Sequence, residues 1–287
     1  MLSQAQIDSY EEQGYLVLPD VLTPAEVAGL GRAVDALLAG ASKVPSSTAV
    51  YDLEDGHTPA KPKVRRLKDP HLHHPAFARV VRQPAVIGAL HQLWPSGVRF
   101  DASKLNLKSA GFGSPVEWHQ DWAFYPHTND DLAAVGFMID DFTPDNGPML
   151  MMPGSHRGPI HDHHADGVFC GAIDPVRAGL DFGKAVPLLG RAGSVTIHHV
   201  RMIHGSATNR SDRPRRFLLH QYRAADAWPL RGVEDYGDYE AMLIVGAPNI
   251  APRLAPVPVR LPFPKASHGG TIYEDQRMLK HRYFLDA

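Results

Sequence analysis

A histidine and an aspartate two positions apart are the first residues of this sequence whose types and spacing could bind a metal. They lie in the segment Trp118-His119-Gln120-Asp121-Trp122. In an extended segment, side chains at positions i and i+2 project from the same face, so His119 and Asp121 can address one point together. An imidazole nitrogen and a carboxylate oxygen are two of the three ligands in the facial triad that holds iron(II). Because the chain contains 17 histidines, a hydrogen-bonded surface pair is the alternative interpretation.

A third candidate ligand and a candidate anion-binding arginine follow later in the chain. His204 begins the segment His204-Gly205-Ser206, and Arg215 lies eleven residues after it. Arg215 could return on the next strand and bind a carboxylate, since the planar guanidinium matches a carboxylate through two hydrogen bonds. We favour His204 as the ligand over three other histidines: His198, His199 and His220.

Together these segments resemble the phytanoyl-CoA dioxygenase family of iron(II)- and 2-oxoglutarate-dependent oxygenases. Four motifs occur in the order that the family shows, and the opening at residues 14–26 is also similar. The resemblance spans roughly residues 8–225. The motifs are Trp118-His119-Gln120-Asp121, Asp145-Asn146-Gly147-Pro148 with Met152-Pro153-Gly154-Ser155-His156, His204-Gly205-Ser206 with Asn209, and Arg215.

The resemblance implies a fold, a cofactor and a reaction. The fold is an all-β core with flanking helices, a double-stranded β-helix (jelly roll, cupin-like). His119, Asp121 and His204 would be both the iron ligands and the catalytic centre, while Arg215 and Ser206 would bind the cosubstrate 2-oxoglutarate. Three protein ligands leave three octahedral positions, enough for a chelating 2-oxo acid and O₂. Asp121 favours hydroxylation, because halogenating relatives replace this carboxylate with a small residue.

Further candidates come from the surrounding sequence. Lys104 and Asn106 alternate with leucines, so one face of that strand is polar, either lining the cosubstrate pocket or facing solvent. Arg66 falls near a basic cosubstrate contact of the family, but a solvated basic run at 64–68 explains it equally well. Four residues are candidates for the substrate pocket or the packing around it: Trp118, Gln120, Trp122 and Phe137.

Other polar clusters are interpreted as structural or exposed. The histidines at 161, 163 and 164 lie in a segment that we expect to be a solvated loop, with a mobile lid over the site as the alternative. Arg213 and Arg216 are expected to be surface charges. Two alternative functions use the same ligands: a metal-binding or sensing jelly-roll module, and a metal-dependent hydrolase, since two histidines and a carboxylate also suit zinc.

The elements that must position these residues are a helical N-terminal part and a strand-rich core. Ser3 with Gln6 and Thr23 with Glu26 have capping-box spacing, and Pro24 predicts the second helix. A third helix is predicted from Pro84 to Trp94, and a loop over 41–63. Strands are predicted at 98–108, 132–139, 149–152, 193–199 and 216–223. We expect one domain over 1–287, with a helical flank to about 95, a core over about 98–225 and a divergent, partly Pro-rich end over about 226–287.

Composition excludes several classes of protein. The chain has 287 residues, of which 44% are apolar and 21% charged, with a net charge of −2. This balance predicts neither disorder nor attraction to nucleic acid. No apolar run is long enough to span a membrane, and no signal peptide is evident, so a cytoplasmic enzyme with a small-molecule substrate is expected. Cys170 is the single cysteine, which excludes a disulfide within the chain. The sequence leaves the substrate and the oligomeric state open.

Overall fold

Eight α-helices flank the sheets in a computed structural model that describes residues 1–111, 113–267 and 270–285. Both predicted capping boxes are present, at Ser3 and Thr23. The helices are α1 (Gln4–Gln13), α2 (Pro24–Leu38), α3 (Pro70–His73), α4 (Pro75–Val80), α5 (Pro84–Leu93), α6 (Pro175–Ala178), α7 (Tyr236–Ala241) and α8 (Ile272–Asp275). Within these ranges no helix is long and apolar enough to cross a membrane.

Strands from along the whole chain form two main sheets, as the jelly-roll prediction requires. The strands are β1 (Tyr15–Leu18), β2 (Tyr51–Leu53), β3 (Val64–Lys68), β4 (Gly97–Lys108), β5 (Val116–His119), β6 (Leu132–Met138), β7 (Met149–Met151), β8 (His164–Ala165), β9 (Val168–Phe169), β10 (Val186–Pro187), β11 (Val195–His199), β12 (His204–Ser206), β13 (Arg215–Ala224) and β14 (Leu243–Gly246). The large sheet has the order β1-β11-β6-β13-β4-β3-β2 with β14 beside β4. The small sheet has the order β10-β7-β12-β5, and β8 pairs only with β9 in the described chain.

Apolar side chains on both faces of the large sheet explain the layering. On β6, Val135 and Phe137 belong to the core that includes α2 and α5, whereas Ala134 and Met138 pack in a cluster that also contains methionines of β7. Helices therefore cover the outer face of the large sheet, and the small sheet covers its inner face. Alternation along a strand places successive side chains in the two cores.

Two predictions for the chain before residue 70 are wrong in part: the loop over 41–63 and the solvated basic run at 64–68. Residues 41–63 include β2, which pairs with β3. The run at 64–68 is strand β3 and is not solvated: Arg65 is 1% exposed and forms an ion pair of 2.7 Å with the buried Asp52. Arg65 also contacts Glu274 at 3.2 Å, which links the N-terminal part of the chain to α8.

Replacing Arg65 with methionine should lower the free energy of unfolding by about 3–5 kcal/mol, because the buried Asp52 carboxylate loses its partner. Urea denaturation at pH 7 measures this change. Arg32→Met, on the exposed side of α2, is the control and should change stability by less than about 0.5 kcal/mol. Adding Asp52→Asn to Arg65→Met should recover part of the loss. Equal losses of stability in Arg65→Met and Arg32→Met would show that Arg65 and Asp52 do not form a stabilising buried ion pair.

Candidate metal centre and cosubstrate pocket

The three predicted metal ligands meet at one end of the small sheet. His204 of β12 pairs directly with His119 of β5, and their rings are 4.1 Å apart. Asp121 begins a short 3-10 turn immediately after β5. Its carboxylate oxygens lie 3.8 Å from Nε2 of His119 and 4.0 Å from Nε2 of His204. All three residues are buried, and one ligand atom from each lies within 4.8 Å of the others.

Backbone carbonyl groups fix the orientation of both imidazoles. Nδ1 of His119 donates to the carbonyl oxygen of Glu117 at 2.8 Å, and Nδ1 of His204 donates to that of Met202 at 3.0 Å. With the proton held on Nδ1, the lone pair of each ring is on Nε2, beside the Asp121 carboxylate. This arrangement fits a divalent metal, because ligating histidines use their second ring nitrogen in this way.

The electrostatics keep the three groups in their metal-binding protonation states. Burial lowers the pKa of His204 to about 4 and the pKa of His119 well below its usual value. Burial alone would raise the pKa of Asp121, but the charge of Lys104 and the neighbouring histidines hold it well below its usual value. Near pH 7 the site therefore consists of two neutral imidazoles and a carboxylate, the forms that bind metal.

Arg215 is a buried cation without a carboxylate partner among the described residues. It is 3% exposed, its Nε has no hydrogen-bond partner, and it lies 5.0 Å from the Phe142 ring. Burial lowers its pKa to about 10, so it remains charged at pH 7. It lines the same cavity as the triad and Ser206. A buried unpaired guanidinium beside a metal triad is a site for an anionic group that bridges the two.

Strand β13 determines which arginine faces this cavity. Arg215 and Phe217 share the face that lines it. Arg216 points to the other side and forms hydrogen bonds of 2.7–3.2 Å with Asp140. The prediction that Arg216 is a surface charge is therefore wrong, because this ion pair holds it half-buried, whereas Arg213 is exposed.

Three more candidates line the same cavity: Arg66, Lys104 and Asn106. Nε of Arg66 donates to the Asn106 side-chain oxygen at 3.3 Å, and its guanidinium lies 4.8 Å from the Tyr273 ring. Burial lowers the pKa of Lys104, while the Asp121 carboxylate opposes that effect. The polar face of β4 is thus turned toward the cavity.

The four candidates for the substrate pocket lie outside the lining of this cavity. Trp118 points to the opposite side of β5 from His119 and stacks on Phe182 at 4.8 Å. Phe137 belongs to the core beneath the helices. Gln120 donates to two loop carbonyl groups, and the Trp122 indole donates to Pro258. These residues pack or form hydrogen bonds around the site and do not line the cavity.

Two histidines of the histidine-rich segment are buried, contrary to the expectation of a solvated loop, whereas His161 is half-buried and Asp162 is exposed. His163 is 2% exposed, and its Nε2 accepts the backbone N–H of Gln120 at 2.9 Å. His164 is 8% exposed and contacts the Asp162 carboxylate at 2.9 Å. His163 thereby fixes the backbone between the two ligands His119 and Asp121.

Further contributors to the cavity are not among the site residues that the sequence predicts. His198, on β11, is 1% exposed, has no hydrogen-bond partner on either ring nitrogen, and lies 3.7 Å from the Asp121 carboxylate. Its inward orientation follows from the alternation of β11. Ile272 and Tyr273 of α8 also line the cavity, and no motif near them signals it.

Comparisons with known proteins agree with this geometry. A family model described as phytanoyl-CoA dioxygenase matches residues 10–217. A Stutzerimonas stutzeri protein named as a probable alpha-ketoglutarate-dependent hypophosphite dioxygenase is 39% identical over 279 residues, which cover 96% of this chain and 97% of that protein. An ectoine dioxygenase of Bordetella bronchiseptica is 30% identical, with 78% of this chain and 76% of the relative covered.

A solved structure shares the fold. The structure of EctD from S. alaskensis with bound Fe has a TM-score of 0.68 at 23% identity, covering 89% of this chain and 88% of that chain. This similarity confirms the jelly-roll prediction. The family match over residues 10–217, a range that includes the triad and Arg215, shows that the chain belongs to the phytanoyl-CoA dioxygenase family.

Proposed function

We propose that this protein is an iron(II)- and 2-oxoglutarate-dependent dioxygenase that hydroxylates a small substrate. The observation that carries the proposal is the pairing of a His-Asp-His cluster with the unpartnered, buried Arg215 in one cavity. A module that only binds metal has no use for such a cation. Relatives whose names specify ectoine, L-proline or hypophosphite support a small molecule as the substrate.

Each residue of the cavity then has a role. His119, Asp121 and His204 hold iron(II), which supplies the activation of O₂ when bound. Arg215 and Ser206 bind the distal carboxylate of 2-oxoglutarate.

Two further side chains complete the cosubstrate site. Asn106, held by Arg66, lines its wall between the two sheets. The overall reaction converts R–H, O₂ and 2-oxoglutarate into R–OH, succinate and CO₂. Its atoms and electrons balance: one oxygen atom of O₂ enters R–OH and the other enters succinate, CO₂ comes from the carboxylate next to the 2-oxo group, and R–H and 2-oxoglutarate each supply two electrons.

The remaining task of the chain is to exclude water and to orient the reactants. Phe217, Leu219 and Met149 form apolar walls of the cavity, and Tyr273 closes it from the C-terminal side. In such surroundings the contact between Arg215 and a carboxylate is stronger than in water. The preformed imidazole orientations reduce the rearrangement needed on metal binding.

The central test measures succinate formed from 2-oxoglutarate under air with a library of candidate small substrates. We expect substrate-dependent succinate, and a product heavier by one oxygen atom in mass spectrometry. After treatment with a chelator, iron(II) should restore the activity and zinc should not. Activity restored by zinc alone would favour a hydrolase, and absence of succinate formation with every compound would overturn the proposal.

Asp121→Ala should weaken iron(II) binding by at least about 100-fold, because changes merely behind a metal ligand already cost 10–100-fold. Anaerobic calorimetric titration of iron(II) measures the affinity. Asp212→Ala removes a carboxylate that is 95% exposed and should leave the affinity unchanged. Similar iron affinities for wild type and Asp121→Ala would show that another group holds the metal.

Arg215→Ala should weaken 2-oxoglutarate binding by roughly 30-fold or more, since losing a buried charge partner costs about 2–5 kcal/mol. Titration of 2-oxoglutarate into the anaerobic iron(II) enzyme, followed by the metal-to-ligand absorption band, reports this affinity.

Iron binding should survive the Arg215 change. Arg213→Ala removes an exposed charge, and Arg216→Ala removes a side chain on the opposite face of β13 from the cavity. Both are controls and should change the cosubstrate affinity by less than about threefold. A larger effect of Arg216→Ala than of Arg215→Ala would reverse the assignment of the two faces of β13.

A further inference from the structure

A second cavity adjoins the metal site on the side away from Arg215. This outer chamber has a volume of about 310 Å³ and shares Arg66, Lys104, Asp121 and Ile272 with the inner cavity. Its volume is near the lower end of the range for small-molecule sites, which fits a compact substrate. The remaining lining is Phe124, Tyr125, Phe169, Arg231, Pro262, Lys265, Ala266, Gly270 and Asp275.

Positive charge dominates the outer chamber. Four cations line it, against the two carboxylates Asp121 and Asp275, and Asp121 is assigned to the metal. Across the described ranges, none of the four forms an ion pair within 4.0 Å. Arg66 and Lys104 are half-buried, and Arg231 and Lys265 lie at the exposed rim.

Binding of iron(II) and 2-oxoglutarate does not neutralise the positive charge of the outer chamber. Iron(II) carries two positive charges and 2-oxoglutarate two negative ones, so binding both leaves the net charge of the site unchanged. Arg215 already serves the distal carboxylate from the inner cavity. The excess at the outer chamber therefore remains for another anion.

The strand register separates Lys104 from the Arg215 end of the site. On the pair β4–β13, Arg215 lies opposite Lys108, and Leu219 lies opposite Lys104. Four strand residues separate the two backbone positions by about 13 Å, although both side chains line the inner cavity. Lys104 and Asp121 line the outer chamber as well as the inner cavity, whereas Arg215 lines only the inner cavity of the two. Lys104 thus stands beside the metal, between the inner cavity and the outer chamber.

We propose that the substrate is a small oxyanion bound in the outer chamber. Lys104 contacts the anionic group next to the metal, and Arg231 and Lys265 attract it at the rim. The aromatic side chains Phe124 and Phe169 form an apolar wall, which strengthens the charge contact by excluding water. This proposal rests on the proposed oxygenase function and assigns Lys104 to the substrate instead of the cosubstrate.

The oxidised bond must then lie close to the anionic centre. An oxyanion held by Lys104 places a P–H bond, or a C–H bond one or two atoms from the charged group, at the metal. Phosphorus oxyanions and short carboxylates share this chemistry. In each case the X–H bond becomes X–OH, while 2-oxoglutarate supplies the other two electrons and becomes succinate and CO₂.

The first test compares matched compounds in the succinate assay with the iron-loaded enzyme. The anions are hypophosphite, methylphosphonate and propionate, and the uncharged and cationic counterparts are propionamide and tetramethylammonium. We expect at least one anion to stimulate succinate formation at least tenfold more than either counterpart. The preferred anion distinguishes phosphorus oxyanions from carboxylates. Preference for propionamide or tetramethylammonium would overturn this inference while leaving the oxygenase assignment intact.

The second test changes the cations and uses the stimulating anion. Lys104→Met should raise its KM at least about tenfold, with less than a threefold change in 2-oxoglutarate affinity, and Lys104→Arg should restore most of the loss. Arg231→Gln and Lys265→Gln should each raise KM about threefold at low salt. This rim effect should vanish near 1 M salt, where screening acts within about 3 Å.

Controls and a measurement without turnover complete the test. Lys184→Gln and Arg213→Gln remove exposed cations outside the chamber and should leave KM unchanged. Calorimetric titration of the same anion into the metal-free protein should show binding that Lys104→Met weakens at least tenfold. Undetectable anion binding to wild type, or a 2-oxoglutarate affinity that falls in parallel with the substrate KM in Lys104→Met, would overturn the proposal.

Discussion

The pairing of His119 with His204 across β5 and β12 is the constraint on which the site depends. Each ring donates from Nδ1 to the carbonyl group two residues before it, so both Nε2 atoms are available beside Asp121. Hydrogen bonds to the backbone thus hold both rings with Nε2 toward Asp121. The jelly roll holds these two short strands in register, and Gln120 and His163 fix the turn that brings Asp121 to them.

The different hydrogen bonding of two buried basic residues, Lys108 and Arg215, explains why an anion is needed at Arg215. Lys108 faces Arg215 across the β4–β13 pair, and its ammonium donates to the carbonyl oxygens of Ser206 and Ala207. The protein thus satisfies Lys108 from its own backbone, whereas it places Arg215 against the aromatic rings of Phe142 and Phe217. A buried guanidinium with so little polar contact favours the state in which a carboxylate occupies the cavity.

The sequence predicts β4, β6, β7, β11 and β13, but not β3 or the short strands β5 and β12 that carry His119 and His204. It does predict the motif residues that meet in the cavity, because ligand chemistry restricts both residue type and spacing. Alternation alone does not decide which face of β13 points into the cavity, since both faces carry apolar residues. The aromatic candidates at 118 and 122 failed to reach the cavity for a different reason: alternation turns Trp118 away, and the 3-10 turn at Asp121 breaks the strand pattern. His163 and Arg65 were assigned to solvent because local composition does not reveal partners distant in sequence, such as Glu274.

The wall formed by α8 lies far outside the segment that defines the family. The family match ends at residue 217, whereas Ile272 and Tyr273 close the cavity from a separate part of the chain. Arg65 attaches this wall to the jelly roll through Glu274 and Thr271, side chains that do not line either cavity. Substitutions in the C-terminal segment can therefore change the shape of the pocket while the strands that present the ligands stay unaltered. One scaffold can thus evolve toward different substrates and keep its metal site.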